Sequence, residues 1–559
     1  MVETEHYMEA SLQRLINVSE NDDVSAISTT RNGNFSTGSA LWRRVMVPGG
    51  LFVLVLLLYV PSARLGFVYD DFDLIVEVPA PRTLGEIASV FTKRHWHDLP
   101  YYRPIAGLSI QLQHYLHGLR PAPFHLFNAT LMAAAAVAAY ALWRQPAFGV
   151  PPVPAALAAA LLAAHPIVSS CVYPISSGRE TLLPAVFIVA AVTAALHRGL
   201  GWRVAALALW VLALLSKEQA VIVPGLFLLA DALGLSADPP RDWRKWLLRY
   251  LPVMAILVAY FAVRSSVFPG GAAHRVAVLH YPLRPLWSLA FFFQSTLTPF
   301  IDLVYEPRRA IWFDPWRVPV CLGILVVLFV ITCQRWREVQ SAMLFWLGWI
   351  VLALLPTANL LAQENLYAER YGLLALVGAA GAAATLATSL WHVTSVRRAV
   401  TCLAVVVTIA AAAVSVHRAA FFLDELTFLS QWRHTDPNSY QAKYNLAAHH
   451  MRQEEFDQTE LVYREMLTRW SRDPKVLGDL GLALLRQSKL DEAAEALTRT
   501  LRIDARDSHA HNRLGMVFQL QGHLHKAARQ YARALEVDPG HTAAQENLAR
   551  IQSRLNESP

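Results

Sequence analysis

Charge is scarce in this chain: Asp, Glu, Lys and Arg supply 16% of its 559 residues, against roughly a quarter in an ordinary soluble protein. Cysteine is scarce too. The four present (Cys171, Cys321, Cys333, Cys402) are scattered through mostly apolar sequence, which excludes a disulfide framework and any metal-ligand spacing. The first 44 residues lack an apolar run, so the expectation is a flexible cytoplasmic tail over 1–44 and no cleavable signal peptide. The net charge of +7 is not a nucleic-acid signature, because many basic residues sit in short loops between apolar runs, where they orient membrane spans. What the chain has in abundance is apolar sequence: 55% hydrophobic residues and a mean hydropathy of +0.32. The charges thin out over about 45–420 and become dense after it, which predicts a polytopic membrane domain followed by a soluble one.

The first span begins at Val45 and ends near Ser62, after Trp42-Arg43-Arg44. Further candidate spans lie at about 123–143, 151–168, 181–197, 203–216, 219–234, 249–267, 285–303, 318–333, 341–358, 371–391 and 399–418. Arg43 and Arg44, Arg198 and Arg203, the Arg241–Arg249 cluster, Arg335 and Arg337, and Arg397 and Arg398 all belong inside by the positive-inside rule. Those groups agree in parity only if 285–303, which contains Gln294, Ser295, Thr296, Thr298 and Pro299, is re-entrant or surface-lying. Eleven crossings result, with the C-terminal domain outside. The largest outer loop, 63–122, carries two amphipathic stretches expected to lie flat in the interface. Leu84, Ile87 and Phe91 share one helical face; Ile105, Leu108, Leu112, Tyr115 and Leu119 share another.

After a linker over 421–435 the sequence repeats itself. Leu446, Leu480 and Leu514 recur every 34 residues, as do Ala447, Gly481 and Gly515, and Tyr463, Leu497 and Tyr531. That period, with small residues at a helix crossing, resembles tetratricopeptide repeats. Three repeats over about 436–539 and a capping helix over 541–555 are expected. Such a stack presents a concave surface for peptides and carries no chemistry of its own.

Chemistry is sought elsewhere. Phe67-Val68-Tyr69-Asp70-Asp71-Phe72-Asp73 places two adjacent acids just beyond the first span, where one can act as general base on a hydroxyl while the other orients it or holds a cation. Basic residues mark the outer ends of other spans: Arg103-Pro104, His165-Pro166, Ser177-Gly178-Arg179-Glu180, Ser216-Lys217-Glu218-Gln219 and Glu369-Arg370-Tyr371. Arg and Lys there suit a phosphate, as charge-assisted donors. Taken singly, each is explained by snorkelling to headgroups or by pairing with its neighbouring acid. Asp231 is an acid inside an apolar segment, close to the inner end of its span.

Tyr69-Asp70-Asp71, Tyr102-Arg103-Pro104-Ile105-Ala106-Gly107, Phe124-His125-Leu126-Phe127-Asn128, His165-Pro166-Ile167, Ser177-Gly178-Arg179-Glu180, Leu215-Ser216-Lys217-Glu218-Gln219 and Ala368-Glu369-Arg370-Tyr371 follow one another in order. With the appended repeats, this set resembles the transmembrane and tetratricopeptide-repeat O-mannosyltransferases and their bacterial relatives, which are GT-C type glycosyltransferases. The resemblance spans about 45–555 and implies an all-α membrane bundle. It also implies a polyprenyl-phosphate sugar donor and transfer of a mannose-like sugar to a protein hydroxyl on the outer face. Asp70 or Asp71 would be the base, and motif alignment favours Asp71. Arg103, Arg179, Lys217 and Arg370 would hold the donor phosphate with help from His165; Tyr69, Glu180, Glu218 and Glu369 would support them. A divalent cation is compatible with the two acids. The short array and the Ala- and Arg-rich composition fit a bacterial member, in the inner membrane with periplasmic repeats, or facing the lumen of the endoplasmic reticulum in a eukaryote. The competing expectation is a non-catalytic, membrane-anchored repeat scaffold for protein assembly, and a lipid-linked-sugar transporter is a third.

Overall fold

A computed structural model describes residues 45–93, 95, 101–267, 291–293, 295–296, 323, 340–357, 368–391 and 393–557. The described residues form helices and no strand. A first helix, α1 (Val45–Arg64), is followed by α2 (Leu84–Ala88) and α3 (Pro104–His117) in the first long loop. Then come α4 (Pro121–Trp143), α5 (Pro152–Ala164), α6 (Pro166–Val172), α7 (Ile175–Ala195), α8 (Leu200–Leu214), α9 (Val223–Ala232) and α10 (Trp243–Val267). Beyond them are α11 (Gln340–Leu354), α12 (Gly372–Leu390), α13 (Thr394–Arg418) and α14 (Glu425–Thr435). Proline opens α3, α4, α5 and α6 at Pro104, Pro121, Pro152 and Pro166. That position suits it, because the first-turn N–H has no intrahelical partner to lose.

The expectation of eleven crossings is corrected. Among the described residues, six helices are long and apolar enough to cross a bilayer, or seven if the bent pair α5–α6 is one span. The apolar run 219–234 spans more sequence than the α-helix built from it, and the run 203–216 gives a helix that is short in itself. α8 has 15 residues and α9 has 10. At about 1.5 Å per residue they fall below the roughly 30 Å of a hydrocarbon core. Segments 285–303 and 318–333 lie largely outside the described residues, as does the tail over 1–44.

Small residues let the helices approach closely, as membrane bundles require. A Cβ on Gly378 would stand 2.7 Å from the Trp349 ring, and one on Gly381 would stand 2.7 Å from Trp143 Nε1. The 62° bend between α5 and α6 exposes backbone carbonyls, which would be costly in lipid without partners. Three side chains satisfy them: Tyr59 Oη donates to Ala163 O at 2.7 Å, Ser415 Oγ to Ala164 O at 2.7 Å, and an Arg418 N–H to Pro166 O at 2.8 Å.

In this first long loop, α3 turns Ala106, Gly107, Ile110, Gln113 and His114 inward. Leu112, Tyr115, Leu116 and Leu119 remain exposed, so most of the stripe read from the sequence faces outward. Of the other stripe, Ile87 is buried while Leu84 and Phe91 are exposed. The segment expected to be a linker, 421–435, is instead mostly the helix α14, capped by Asp424 and burying Phe428, Leu429 and Trp432. An apolar pair one turn apart gave it a face to bury.

The tail is a stack of three helix pairs followed by one further helix, the arrangement expected from the 34-residue period. The pairs are α15 (Tyr440–Arg452) with α16 (Phe456–Arg469), α17 (Pro474–Arg486) with α18 (Leu490–Ile503), and α19 (Ser508–Leu520) with α20 (Leu524–Val537). The cap is α21 (Thr542–Glu557). Ser439, Asp473 and Asp507 each cap the first helix of a pair. The glycines sit where the period placed them: a Cβ on Gly481 would lie 2.6 Å from Leu497 Cγ, and one on Gly515 2.6 Å from the Tyr531 ring. Gly481→Val is expected to cost the repeats about 1–3 kcal/mol by overpacking, read as a lower unfolding midpoint by tryptophan fluorescence. An unchanged midpoint contradicts the crossing.

Candidate functional site

The chain leaves α1 under tight control. Gly66 N–H donates to Leu423 O at 2.8 Å, and a Cβ on Gly66 would meet that same oxygen at 3.1 Å. Tyr69 then adopts φ 51°, a left-handed conformation that bulky residues seldom hold. Its ring packs edge-on against Trp432 at 5.5 Å and beside Phe428 at 6.1 Å, so α14 holds the strained turn in place.

Immediately after this turn the two acids part company. Asp70 lines an open cavity of about 1060 Å³ between the bundle and the first helix pair of the tail. Asp71 is fully buried and is a helix cap supplied from a distance. Its carboxylate accepts the N–H of Ser176 at 2.7 Å, of Ile175 at 3.3 Å and of Val68 at 3.1 Å. Two of these are first-turn donors of α7, which an anion satisfies in charge as well as in hydrogen bonding. Burial pushes the Asp71 carboxyl up to about 6, and its backbone hydrogen bonds pull against that rise. The motif-based preference for Asp71 therefore meets a side chain with no access to the cavity, while Asp70 has it.

The basic candidates divide in the same way. Arg179 is fully buried and spent on structure. It donates to Asn128 Oδ1 at 2.9 Å, Ser109 Oγ at 3.1 Å and Gln113 Oε1 at 2.7 Å, joining α7 to α3 and α4. Gly178 beside it permits this contact, since a Cβ there would lie 2.3 Å from Cys171 O. His165 is also structural: its Nδ1 accepts the Ile167 N–H at 3.3 Å across the α5–α6 bend, and Nε2 lies 3.3 Å from Thr296 O. Glu369 is buried against Arg418 at 2.7 Å, tying the start of α12 to the end of α13.

Arg103, Lys217, Arg370, Glu180 and Tyr69 do line the cavity with Asp70. Arg103 is clamped by Glu180 at 2.5 Å and Glu218 at 2.9 Å, and it stacks over Tyr101 at 4.2 Å. Glu180 also holds His95 at 2.7 Å. The Lys217 ammonium lies 5.3 Å from the centre of the Tyr371 ring and makes no hydrogen bond among the described residues. Burial, and then the nearby Arg103 charge, push its pKa down to about 8. The Arg370 guanidinium lies 5.5 Å from the same ring. Two carboxylates hold Arg103, and Lys217 and Arg370 line the same corner of the cavity. Ammonium and guanidinium groups of this kind are charge-assisted donors suited to an anion of phosphate type.

Asp231, the intramembrane acid, is paired at the opposite end of the bundle with Arg249 at 2.6 Å and Tyr250 at 2.8 Å. Among the described residues no group of three or more His, Cys, Asp or Glu is arranged to hold a metal ion.

Sequence reasoning missed the far wall of the cavity. Asp73, Glu77, Gln441, Asn445, Arg452 and Lys475 line it, so the first repeat closes the same space that Asp70 opens onto. Arg452 carries the contact: it pairs with Glu425, reaches Glu77 at 3.7 Å, and stacks over Phe72 at 4.7 Å. The Asp73/Glu77 spacing was visible, but nothing local says that a helix some 370 residues later faces it.

No family model and no curated protein matches the chain. Solved structures similar to it include the second repeat domain of human RPAP3 in complex with an HSP70 peptide, at 19% identity and a TM-score of 0.19, covering 20% of this chain and 92% of that one. The first repeat domain of Spaghetti (RPAP3), bound to an HSP90 peptide, is similar at 19% identity and a TM-score of 0.20, covering 21% and 92%.

The buried acid has a measurable consequence. Because folding raises the Asp71 pKa from 3.8 to about 6, its contribution to stability is complete below pH 4 and is lost as pH rises through 6. Relative to Asp71→Asn, which does not titrate, wild type is expected to lose up to about 3 kcal/mol between pH 4 and pH 7. Thermal unfolding of both proteins across that range checks it, and parallel curves contradict it.

Proposed function

We propose that this protein is a membrane glycosyltransferase that takes a sugar from a polyprenyl-phosphate donor and passes it to a hydroxyl of a protein acceptor on the outer face. The observation that carries the reading is the single cavity that holds Asp70 together with Lys217 and Arg370. A base and a phosphate-binding corner are the two things such a transfer requires.

In the proposed reaction the acceptor oxygen attacks the anomeric carbon and a new C–O bond forms. The bond from that carbon to the phosphate oxygen breaks, and its electron pair leaves with the lipid phosphate. Asp70 takes the hydroxyl proton. Lys217 and Arg370 meet the charge developing on the phosphate, while Arg103, held by Glu180 and Glu218, keeps that corner in shape. Asp71 and Arg179 are positioning residues in this scheme, since each acts through the placement of α7.

The proposed sidedness rests on charge. Arg203 pairs with Asp238 at 2.7 Å and Arg249 with Asp231 at 2.6 Å, at the ends of α8 and α9 opposite Lys217. A basic inner rim of this kind leaves the cavity and the repeats outside. A bacterial inner membrane with periplasmic repeats is the compartment proposed, and the bilayer itself would hold the donor's isoprenoid tail. The mannose identity comes from the sequence resemblance alone.

The test is sugar transfer from a polyprenyl-phosphate donor in proteoliposomes. Asp70→Asn is expected to lower kcat by about 100-fold or more with little change in donor KM. Lys217→Met is expected to raise donor KM, and in wild type that KM is expected to rise as pH passes 8, where Lys217 loses its proton. Full activity in Asp70→Asn would overturn Asp70 as the base, whereas no transfer by wild type would favour the non-catalytic scaffold instead.

A further inference from the structure

The cavity has two unlike ends. One is the cationic corner of Arg103, Lys217 and Arg370; the other is walled by α15 and by the loop after Asp70. We infer that the α15 wall is the acceptor subsite, built for an extended polypeptide that carries Lys or Arg beside the hydroxyl residue. This deepens the glycosyl-transfer reading and rests on it for the identity of the bound chain as an acceptor.

Gln441, Asn445 and Ala448 lie on one face of α15 and all line the cavity. A span of seven helical residues is about 10 Å, which matches about three residues of extended chain. Gln441 Nε2 donates to Asn445 Oδ1 at 3.2 Å, and Asn445 Nδ2 makes no hydrogen bond among the described residues. Side-chain amides offer both a donor and an acceptor, the pair that an extended main chain presents. Ala448 has no side chain beyond Cβ, so room remains beside the amides.

Charge decides what that chain carries. This end of the cavity holds the acids Asp70, Asp73, Glu77 and Glu425 against two cations, Arg452 and Lys475. Arg452 is already engaged by Glu425 and Glu77 and stacked on Phe72. Lys475 sits 4.4 Å from the centre of the Tyr444 ring. Asp73, Glu77 and Glu425 thus outnumber Arg452 and Lys475 at this wall, and the surplus is negative around Asp73, opposite in sign to the Arg103–Lys217–Arg370 corner. A cationic residue flanking the hydroxyl complements it, whereas an acidic flank meets like charge.

The experiment uses the full-length protein in lipid nanodiscs and two fluorescent Ser peptides, one flanked by Lys and one by Glu. Wild type is expected to bind the Lys peptide about tenfold more tightly at moderate salt. Asp73→Lys is expected to remove or reverse that preference, and Gln441→Ala with Asn445→Ala to weaken both peptides several-fold. Equal binding of the two peptides by wild type, or binding indifferent to all three substitutions, overturns the inference. Selective binding without any sugar transfer overturns the glycosyl-transfer reading and leaves the peptide subsite. Sugar transfer to peptides whose binding ignores Gln441, Asn445 and Asp73 overturns the subsite and leaves the transfer reading.

Discussion

The buried Asp71 carboxylate at the start of α7 is the contact on which the cavity end of this protein depends. Burying an acid is costly, and three backbone N–H donors, two of them from the first turn of α7, offset that cost. The bond fixes the first loop against α7. It also sets the register of α7, placing Arg179 among Asn128, Ser109 and Gln113 and bringing Glu180 beside Arg103. With Asp71 committed inward and Tyr69 pinned by α14, Asp70 is left facing the cavity.

A second constraint comes from the lipid. A bent span such as α5–α6 leaves carbonyls that water cannot reach, and Tyr59, Ser415 and Arg418 satisfy them from three directions. Arg418 also binds Glu369, which immediately precedes Arg370. The last apolar helix, α13, thereby steadies the Arg370 corner of the cavity and, through Phe422 and Leu423, leads directly into the helix that supports Tyr69. The membrane domain and the repeats are mechanically continuous at this point, which is why one cavity has walls from both.

The repeats were the most legible part of the chain, because a 34-residue period writes the same packing constraint three times. Gly481 and Gly515 are read as crossing points from spacing alone, and each proves to be in contact with its partner helix. The membrane class was legible from apolar runs, but the number of crossings was not, since composition does not reveal that α8 and α9 end early. Asp70 and Asp71 are adjacent and chemically identical, so only their distant partners separate them. Arg103 and Arg179 pose the same problem: each precedes or follows a telling neighbour, yet one reaches the cavity and the other is enclosed by neutral acceptors. The 421–435 segment was short and polar on average, which hid the Phe428 and Trp432 face that makes it a helix.

The account stands on a lipid phosphate entering the cationic corner that faces Asp70. The most direct measurement is photolabelling of the reconstituted protein with a polyprenyl-phosphate analogue bearing a photoreactive group next to the phosphate, followed by peptide mapping. Adducts on the segments around Lys217 and Arg370, suppressed by excess unlabelled polyprenyl phosphate, are the predicted result. Adducts confined to the lipid-facing helices α10 and α13, with none near Lys217 or Arg370, would contradict it.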